Sequence, residues 1–518
     1  MLRGILFLLL VVLLFSLSAK TPQDTLVLAL SAEPSVLNPI LYTDVTSGTV
    51  ADFVFSGLVR YNQQLEIVGD LARRWTVSRD GLTYTFYLRN DVYWHDGRKF
   101  TARDVVFTFN KILDPKTNTV RRSNFIINRK KIRYYAKDTY TVVFVLPSKF
   151  APFLSRVGIG ILPKHLLQKE DINTTGFNHL PIGTGPFKFG EWKTGTSIRL
   201  LANEQYFRGK PKLKSILLKI LPDSNAQFMA LKKGEIDLSS IPPRQLALFK
   251  KHKDLTIVKY DGLSYNYIGL NNRVKLFQNK QIRKALDLAL PKDKLVKAVS
   301  HGLNRSAYFP MSPISKAYNR FYKPKKYNPQ LAQKILIQKG WKKGDDGILI
   351  KGKQRFSFTL LLPKGARDSL RIALVCQQYW KKIGIEVDIK VLEWNLLLQK
   401  INFEKKDFDA VLIGWSLGID PDGYNLWHSS TYPKGFNFIG YRNREVDRLL
   451  VRARSEMNEK KRYVLYRKLY SMIARDYPYI FLWYPKSIVC IRNEVRGLAE
   501  PGPAGLILDP EKVYKAAQ

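Results

Sequence analysis

The chain has 518 residues, of which 45% are hydrophobic and 25% charged. At roughly 100 to 200 residues per domain, this length allows about two to four domains, and the composition is typical of a folded globular protein. The two cysteines are too few for a disulfide scaffold, and the six histidines show no CxxC, HExxH or HxH spacing. We therefore expect neither a metal site nor a cofactor.

The chain is strongly basic, with 85 Lys and Arg against 43 Asp and Glu and a formal net charge of +42. Such an excess often indicates anionic partners. The basic residues are nevertheless spread along the whole chain, without an RNA-binding motif, a zinc finger or a basic zipper. We therefore expect a solvated basic surface and no nucleic-acid partner, with attraction to an anionic lipid or ligand as the alternative.

Residues 1–19 have the features of a secretory signal peptide. A single charge at Arg3 precedes an apolar run at 5–15, and small residues lead up to Ala19. The run is shorter than the ~20 residues that a membrane-spanning helix needs. No cysteine lies at the expected cleavage point, which excludes a lipoprotein anchor there. The sequence therefore predicts a secreted, periplasmic protein.

The first elements after this segment are strands, followed by a helix. Residues 25–30 predict a strand, and residues 75–89 predict a hairpin. Alternation along its second strand places three side chains on one face, namely Tyr84, Phe86 and Leu88. Thr101 and Asp104 form the pattern of a capping box, and apolar residues at helical spacing follow them.

Helices and strands alternate in the second half of the chain, which predicts an α/β fold. Gly234 suits the left-handed end of a helix. The predicted strands lie at 265–271, 385–392, 408–414 and 479–484. The predicted helices lie at 281–290, 329–339 and 371–382, after Trp394, and along 445–476, where helical spacing is kept throughout.

Residues 71–89, followed by 95–97 and 100–106, resemble the signature of the family 5 extracellular solute-binding proteins of peptide and nickel ABC importers. Further segments that resemble this family lie at 183–187, 382–385, 393–394, 414–415 and 447–478. The resemblance covers nearly the whole chain after the signal peptide.

The resemblance implies a two-lobed clamp of three α/β domains with mixed sheets. Domain I is expected to be discontinuous, at 20–48, 180–264 and 487–518. Domain II is expected at 49–179 and domain III at 265–486. Two crossings between the lobes, near 260–267 and 478–488, are expected to act as the hinge, since a few residues at element ends absorb such rotations.

The resemblance also implies the function. A monomeric binding protein captures a peptide or peptide-like solute between its lobes and delivers it to an ABC transporter permease in the inner membrane. Other solutes, such as a sugar or a metal chelate, stay open as ligands. No catalysis is expected from such a protein.

In peptide-binding relatives an extended ligand adds as a strand to the Gly-Trp segment, so backbone groups recognise it. The matching ligand-binding residues here are Gly414, Trp415, Ser416 and Leu417. Trp394 matches a tryptophan of the pocket. Thr43, Asp44 and Val45 match the facing wall from domain I.

One departure concerns the ligand's amino terminus. Relatives often carry an Asp three residues after the Gly-Trp tryptophan, where it pairs with the peptide ammonium, but this chain has Gly418 there. Asp420 or Asp422 replaces this acid, or else the ligand lacks a free amino terminus. We include Asp420 among the candidate ligand-binding residues.

A secreted serine hydrolase is the alternative from another class, because residues 414–418, GWSLG, also fit the GxSxG nucleophile pattern. A hydrolase needs a helix directly after Ser416 and a later Asp and His. The next residues read as a turn, and His428 follows only twelve residues on. The pattern therefore favours a binding segment, with no catalytic residue.

Overall fold

The computed structural model describes residues 21–249, 252–402 and 407–517. The predicted signal peptide lies outside the described residues. Three large sheets organise the chain, and helices pack around them. Within the described ranges, no helix is both long enough and apolar enough to cross a membrane.

A seven-stranded mixed sheet gathers strands from both ends and the middle of the chain. Its strands, in spatial order, are Phe187–Lys193, Ser197–Ala202, Ser215–Ile220, Thr25–Leu30, Leu238–Ser240, Lys486–Arg492 and Leu255–Asp261. The predicted strand at 25–30 is central, and it pairs in parallel with Ser215–Ile220 along its whole length.

A four-stranded antiparallel sheet contains the predicted hairpin. Its strands, in spatial order, are Ala72–Val77, Thr83–Leu88, Thr141–Val145 and Arg133–Asp138. The alternation prediction is confirmed, because Tyr84, Phe86 and Leu88 are all buried. The predicted capping box is confirmed too, with the Thr101 N–H donating to Asp104 Oδ2 at 2.9 Å before the helix Ala102–Leu113.

A six-stranded mixed sheet is built from the second half of the chain. Its strands, in spatial order, are Arg305–Ser306, Tyr479–Tyr484, Ser264–Leu270, Ala410–Ser416, Ser357–Pro363 and Glu386–Leu392. The four strands predicted in this half all belong to it, with ends shifted by at most two residues, whereas Arg305–Ser306 and Ser357–Pro363 were not predicted.

The first two sheets share one hydrophobic core, in which Leu26 and Ile216 belong to the same cluster as Phe86 and Phe144. The six-stranded sheet has separate cores on its two faces. We call the seven- and four-stranded sheets with their helices the first lobe, and the six-stranded sheet with its helices the second lobe. The α/β clamp with mixed sheets is confirmed.

Two short crossings join the lobes. The strand Leu255–Asp261 of the first lobe leads within three residues to Ser264–Leu270 of the second. Only Pro485 separates Tyr479–Tyr484 from Lys486–Arg492. Both crossings lie inside the predicted ranges, whereas their action as a hinge and the three domain boundaries stay predictions.

The helices of at least eight residues are Val45–Val54, Ala102–Leu113, Ser224–Lys233, Lys280–Leu288, Lys292–Val299, Pro329–Gln338, Arg367–Lys382, Trp394–Asn402, Arg444–Ser455 and Glu459–Asp476. Shorter helical segments are Val120–Phe125, Phe153–Arg156, Lys164–Leu167, Gly176–Asn178, Pro243–Gln245, Leu246–Phe249, Lys275–Gln278, Tyr424–Trp427, Ser429–Thr431 and Pro510–Lys512. Short strands at the periphery are Val59–Tyr61, Ile67–Gly69, Ile126–Ile127, Lys130–Lys131, Lys342–Lys343, Leu349–Lys351, Gln354–Arg355, Val495–Arg496 and Tyr514–Lys515.

One helix prediction is wrong in its continuity. Residues 445–476 form two helices, because the chain turns at 456–458 and the Asn458 side chain accepts from the Lys461 N–H to begin the second. Helical spacing of apolar residues continues across this break, so periodicity alone did not reveal it. The predicted left-handed helix end at Gly234 is confirmed, with φ 78°.

Candidate ligand-binding site

A cavity of about 420 Å³ lies between the helix Val45–Val54 of the first lobe and the six-stranded sheet of the second. All nine residues that the sequence predicts as ligand-binding line this cavity. From the first lobe they are Thr43, Asp44 and Val45, and from the second they are Trp394, Gly414, Trp415, Ser416, Leu417 and Asp420. The structure thus brings together segments more than 300 residues apart in the sequence.

The helix Val45–Val54 is fixed at both ends. At its start Asp44 accepts from the Ser47 N–H at 2.8 Å, the Ser47 hydroxyl at 2.8 Å and the Ser35 hydroxyl at 2.7 Å. At its end the Val54 carbonyl accepts from the Gly185 N–H at 2.8 Å. Gly183 approaches so closely that a Cβ there would lie 1.8 Å from the Val54 oxygen. The Gly-Thr-Gly-Pro-Phe segment is therefore a structural turn that holds this wall of the cavity.

The strand Ala410–Ser416 presents a free edge. Among the described residues, one of its edges pairs with Ser264–Leu270 along the whole strand, whereas the other pairs with Ser357–Pro363 only at Ala410 and Val411. The Leu417 N–H donates to Leu263 at 2.7 Å, toward the paired edge. Because backbone groups alternate sides along a strand, the N–H and C=O groups of Gly414 and Ser416 point to the unpaired edge. This edge can accept an added strand.

Two tryptophans form an aromatic wall beside this edge. The Trp415 indole stacks on Tyr267 at 6.3 Å between ring centroids, and its Nε1 donates to the Tyr479 hydroxyl at 3.2 Å. The Trp394 Nε1 is buried and has no hydrogen-bond partner among the described residues. Both rings are half-buried, so each keeps surface for an apolar contact.

The two acids proposed as replacements for the missing carboxylate already have partners. Asp420 Oδ1 lies 2.7 Å from Arg462 Nη2. Asp422 lies between Arg156, at 3.0 Å, and Arg454, at 2.8 Å, and its side chain is fully buried. Burial by itself would raise the pKa of Asp422, but the charges of Arg454 and Arg156 outweigh it and hold this pKa well below its usual range.

The ion pairs of Asp422 join the two lobes. Arg156 belongs to the first lobe, where it comes after the last strand of the four-stranded sheet in the chain, and Arg454 belongs to the second lobe. Further bonds cross beside it. The Ala151 N–H donates to the Arg454 carbonyl at 2.8 Å, and Asn425 Nδ2 donates to Asn124 Oδ1 at 3.1 Å. We call the ionic group Arg156, Asp422 and Arg454 the interlobe triad.

Asp52 is a cavity residue that sequence reasoning missed. It lies on the helix Val45–Val54 and lines both the first cavity and a second one of about 640 Å³, which extends between the sheets of the first lobe. Burial raises the pKa of Asp52 to about 6, although Arg121 opposes the shift. One signal was available, because an acid in the last turn of a helix lies near the negative end of its dipole.

The site lacks the arrangement of a serine hydrolase. Ser416 ends a strand, but the next described helix begins only at Tyr424. The ring Nδ1 of His428 is 2.7 Å from the Ser430 hydroxyl and is also the acceptor for the Ser430 N–H. Across the described residues, no group of three or more His, Cys, Asp or Glu side chains is placed to hold a metal ion.

Comparison with known proteins gives a consistent result. The model of the family described as bacterial extracellular solute-binding proteins, family 5 Middle, matches residues 66–437, which is more than half of the chain. The oligopeptide-binding protein AppA of Bacillus subtilis is 37% identical over 491 residues, covering 93% of this chain and 90% of AppA.

Solved structures agree with this match. The structure of Bacillus subtilis AppA in complex with a nonapeptide gives a TM-score of 0.92 at 36% identity, and covers 96% of this chain and 100% of that one. The structure of NikZ from Campylobacter jejuni in complex with Ni(L-His) gives a TM-score of 0.86 at 30% identity, with coverage of 96% and 100%.

Proposed function

The chain belongs to the bacterial extracellular solute-binding proteins of family 5, and we propose that it captures an oligopeptide between its two lobes and delivers it to an ABC importer. The observation that carries the peptide proposal is the free edge of the strand Ala410–Ser416 at the cavity. A peptide can pair with such an edge through its main chain, whatever its side chains are. Membership of a solute-binding family favours binding over hydrolysis.

The combined size of the two cavities supports a ligand longer than a dipeptide. The first cavity, of about 420 Å³, falls within the roughly 300 to 1,000 Å³ typical of ligand pockets. The second cavity adds about 640 Å³ and meets the first at Thr49 and Asp52. The similar AppA structure contains a nonapeptide. We call the two cavities the first and second chambers.

The proposal extends to the place and partners of the protein. We propose that residues 1–19 are removed on secretion, and that the mature monomer works in the periplasm and docks on the permease of its importer. The three sheets support a division into three domains close to the predicted boundaries. Rotation at the crossings 262–263 and 485 would open the chambers to solvent.

Peptides methylated at single backbone nitrogens test the main-chain pairing. In an added strand, alternate ligand N–H groups donate to the free edge, and those between them point away. We expect methylation at alternate positions to weaken binding at least about tenfold, and methylation at the intervening positions to change it little. Isothermal titration calorimetry with one peptide length and sequence measures the series.

A flat methylation profile with tight binding of the parent peptide would contradict strand addition at this edge. Titration with Ni(L-His), the ligand in the NikZ structure, tests the metal-chelate alternative. Binding of that chelate together with no binding of any peptide would replace the peptide proposal.

The Trp394→Phe and Trp415→Phe variants should each reduce the change in tryptophan emission on binding, because both rings line the first chamber.

A further inference from the structure

The carboxylates of the first chamber differ in whether they have partners. Asp44 caps a helix, Asp420 pairs with Arg462, and Asp422 belongs to the interlobe triad. Among the described residues, Asp52 makes no hydrogen bond or ion pair. It is the acid of this chamber to which the described residues give no direct partner, although the charge of Arg121 acts on it from a distance.

The position of Asp52 explains how it can be both solvent-accessible and deep inside the molecule. Its neighbours Val50, Ala51, Phe53 and Val54 are buried in the core of the first lobe. Asp52 itself is exposed, but its accessible surface opens into the chambers and lies where they meet. A ligand that occupied both chambers would lie against Thr49 and Asp52, the two residues that line both.

The nearest positive charge does not neutralise it. Arg121 donates its Nε to the Pro39 carbonyl at 2.8 Å and its Nη2 to the Tyr42 carbonyl at 3.2 Å. No salt bridge within 4.0 Å joins Arg121 to Asp52 in the part of the chain that the structure describes. When a ligand displaces the chamber water, an unpaired carboxylate here would be costly, and a ligand cation would offset that cost.

We propose that the Asp52 carboxylate binds a positively charged group of the ligand, an ammonium or a guanidinium, where the two chambers meet. The assignment rests on the proposed function and specifies its ligand class. It selects peptides that carry a cation at this point, either the amino-terminal ammonium or a Lys or Arg side chain. The positive charges of the protein surface have little influence on this selection. Salt screens the charges that lie more than about 8 Å from the bound cation.

Three peptides of equal length, with the same free carboxyl terminus, test the proposal against the Asp52→Asn variant. The first has a free amino terminus and no basic side chain. The second is N-acetylated and contains one Lys at a position scanned along the peptide. The third is N-acetylated and has no cation. Asp345→Asn serves as the matched control, because it removes the same charge from an exposed hairpin.

Asp52→Asn should weaken the peptide that supplies the cation by about tenfold or more, and change the third peptide less than about twofold. A loss of affinity for the first peptide identifies the amino-terminal ammonium as the cation that Asp52 binds. A loss of affinity for the second identifies the Lys side chain. Unchanged affinity for both cationic peptides, or equal loss for all three, would overturn the assignment while leaving peptide binding intact. If the unaltered protein bound no peptide at all, the proposed function would fail together with the assignment.

The pH dependence of binding provides an independent test. Protonation removes the charge of Asp52, so affinity for the cationic peptide should fall as the pH drops from 7.5 to 5, across its raised pKa. The other charged groups of the first chamber are Asp44, Arg121, Arg156, Asp420 and Asp422. Those of the second are Arg60, Asp70 and Arg208, and burial raises the pKa of Asp70 to about 6 as well.

The contribution of Asp70 persists in the Asp52→Asn variant, so the difference between the two proteins isolates Asp52. We expect the variant to lose most of the decrease in affinity between pH 7.5 and 5. An equal decrease in both proteins would contradict a role for Asp52 in binding the cation.

Discussion

The interlobe triad and Asp52 both contribute charged groups to the first chamber, but the surroundings of their carboxylates differ in opposite ways. Asp422 is fully buried between two guanidinium groups, which hold its pKa well below the usual range. Asp52 has no partner among the described residues, and burial raises its pKa to about 6. The same chemical group is thus stabilised as a charge in one region and destabilised in the other.

The difference indicates which region serves the fold and which serves the ligand. A buried charge with good partners contributes to a particular conformation, here one in which the lobes are joined. A carboxylate without a partner reduces stability, and groups whose pKa values are shifted by burial cluster at functional sites. The variants below should therefore affect stability in opposite directions.

The largest effect is expected from Asp422→Asn. The change leaves Arg156 and Arg454 without their carboxylate, so the free energy of unfolding at pH 7 should fall by about 3 kcal/mol. Because the folded pKa of Asp422 is lowered, its contribution is fully present above the unfolded value of about 3.9, and it is lost progressively as the pH falls from there through the folded pKa, so that part of it is gone at pH 3. Urea denaturation at pH 7 and at pH 3 measures the loss of stability in the variant and its dependence on pH. Asp345→Asn is the control, and equal stability of the two variants would contradict the role of the triad.

Arg156→Met removes the ionic contact between the lobes but leaves the Asp422–Arg454 pair within the second lobe. Asp422 keeps Arg454, so the fold should persist, but closure no longer gives Asp422 its second partner. We expect ligand affinity to fall about tenfold and the radius of gyration of the free protein to increase in X-ray scattering. Arg103→Met, on an exposed helix position, should change neither quantity. An unchanged affinity would show that the triad does not favour the closed form.

Asp44→Ala tests whether Asp44, another acid of the first chamber, stabilises the helix Val45–Val54 or contacts the ligand. Removing the cap of the helix Val45–Val54 should lower the free energy of unfolding by about 1 kcal/mol, whereas Asp44→Asn keeps the cap and should cost much less. Thermal denaturation compares the two variants. If Asp44→Asn weakened peptide binding as strongly as Asp44→Ala, the carboxylate would contact the ligand directly, as the sequence predicts.

Asp52→Asn should have the smallest effect on stability, and of opposite sign. An acid whose folded pKa is raised destabilises the protein above that pKa, so the variant should be more stable at pH 7 by about 1 kcal/mol or less, since chamber water still screens the charge. The unaltered protein should gain stability relative to the variant as the pH falls from 7 to 4. Denaturant unfolding between pH 7 and 4 measures whether the variant has a higher or a lower free energy of unfolding than the unaltered protein. A variant less stable than the parent at pH 7 would show that Asp52 has an internal partner.

Much of the fold followed from local pattern. Alternation predicted the buried face of the hairpin at Tyr84, Phe86 and Leu88, and the Thr101 and Asp104 spacing predicted a capped helix. Such signals depend on residues only a few positions apart. The break at 456–458 escaped prediction because periodicity of apolar residues continues through a short turn.

The cavity itself followed from the family resemblance, which placed all nine predicted residues at one wall or the other. Their contacts with ligand stay predictions. The sequence also pointed to the missing acid at Gly418, and it offered Asp420 or Asp422 as replacements, with Asp420 taken as the candidate. Composition and spacing could not separate them, since each is an acid in the same turn.

The sequence by itself determined the fold class, most of the elements and nine of the residues that line the cavity, because these depend on local periodicity and on a long family signature. Only the tertiary structure decided which carboxylate has a partner. The partners of Asp422 come from residues 156 and 454, in different lobes, and Asp52 lacks one because no cation of the chain reaches within 4.0 Å of it in the described residues. Ion pairing depends on distances of a few ångströms between groups far apart along the chain, and those distances exist only in the folded molecule.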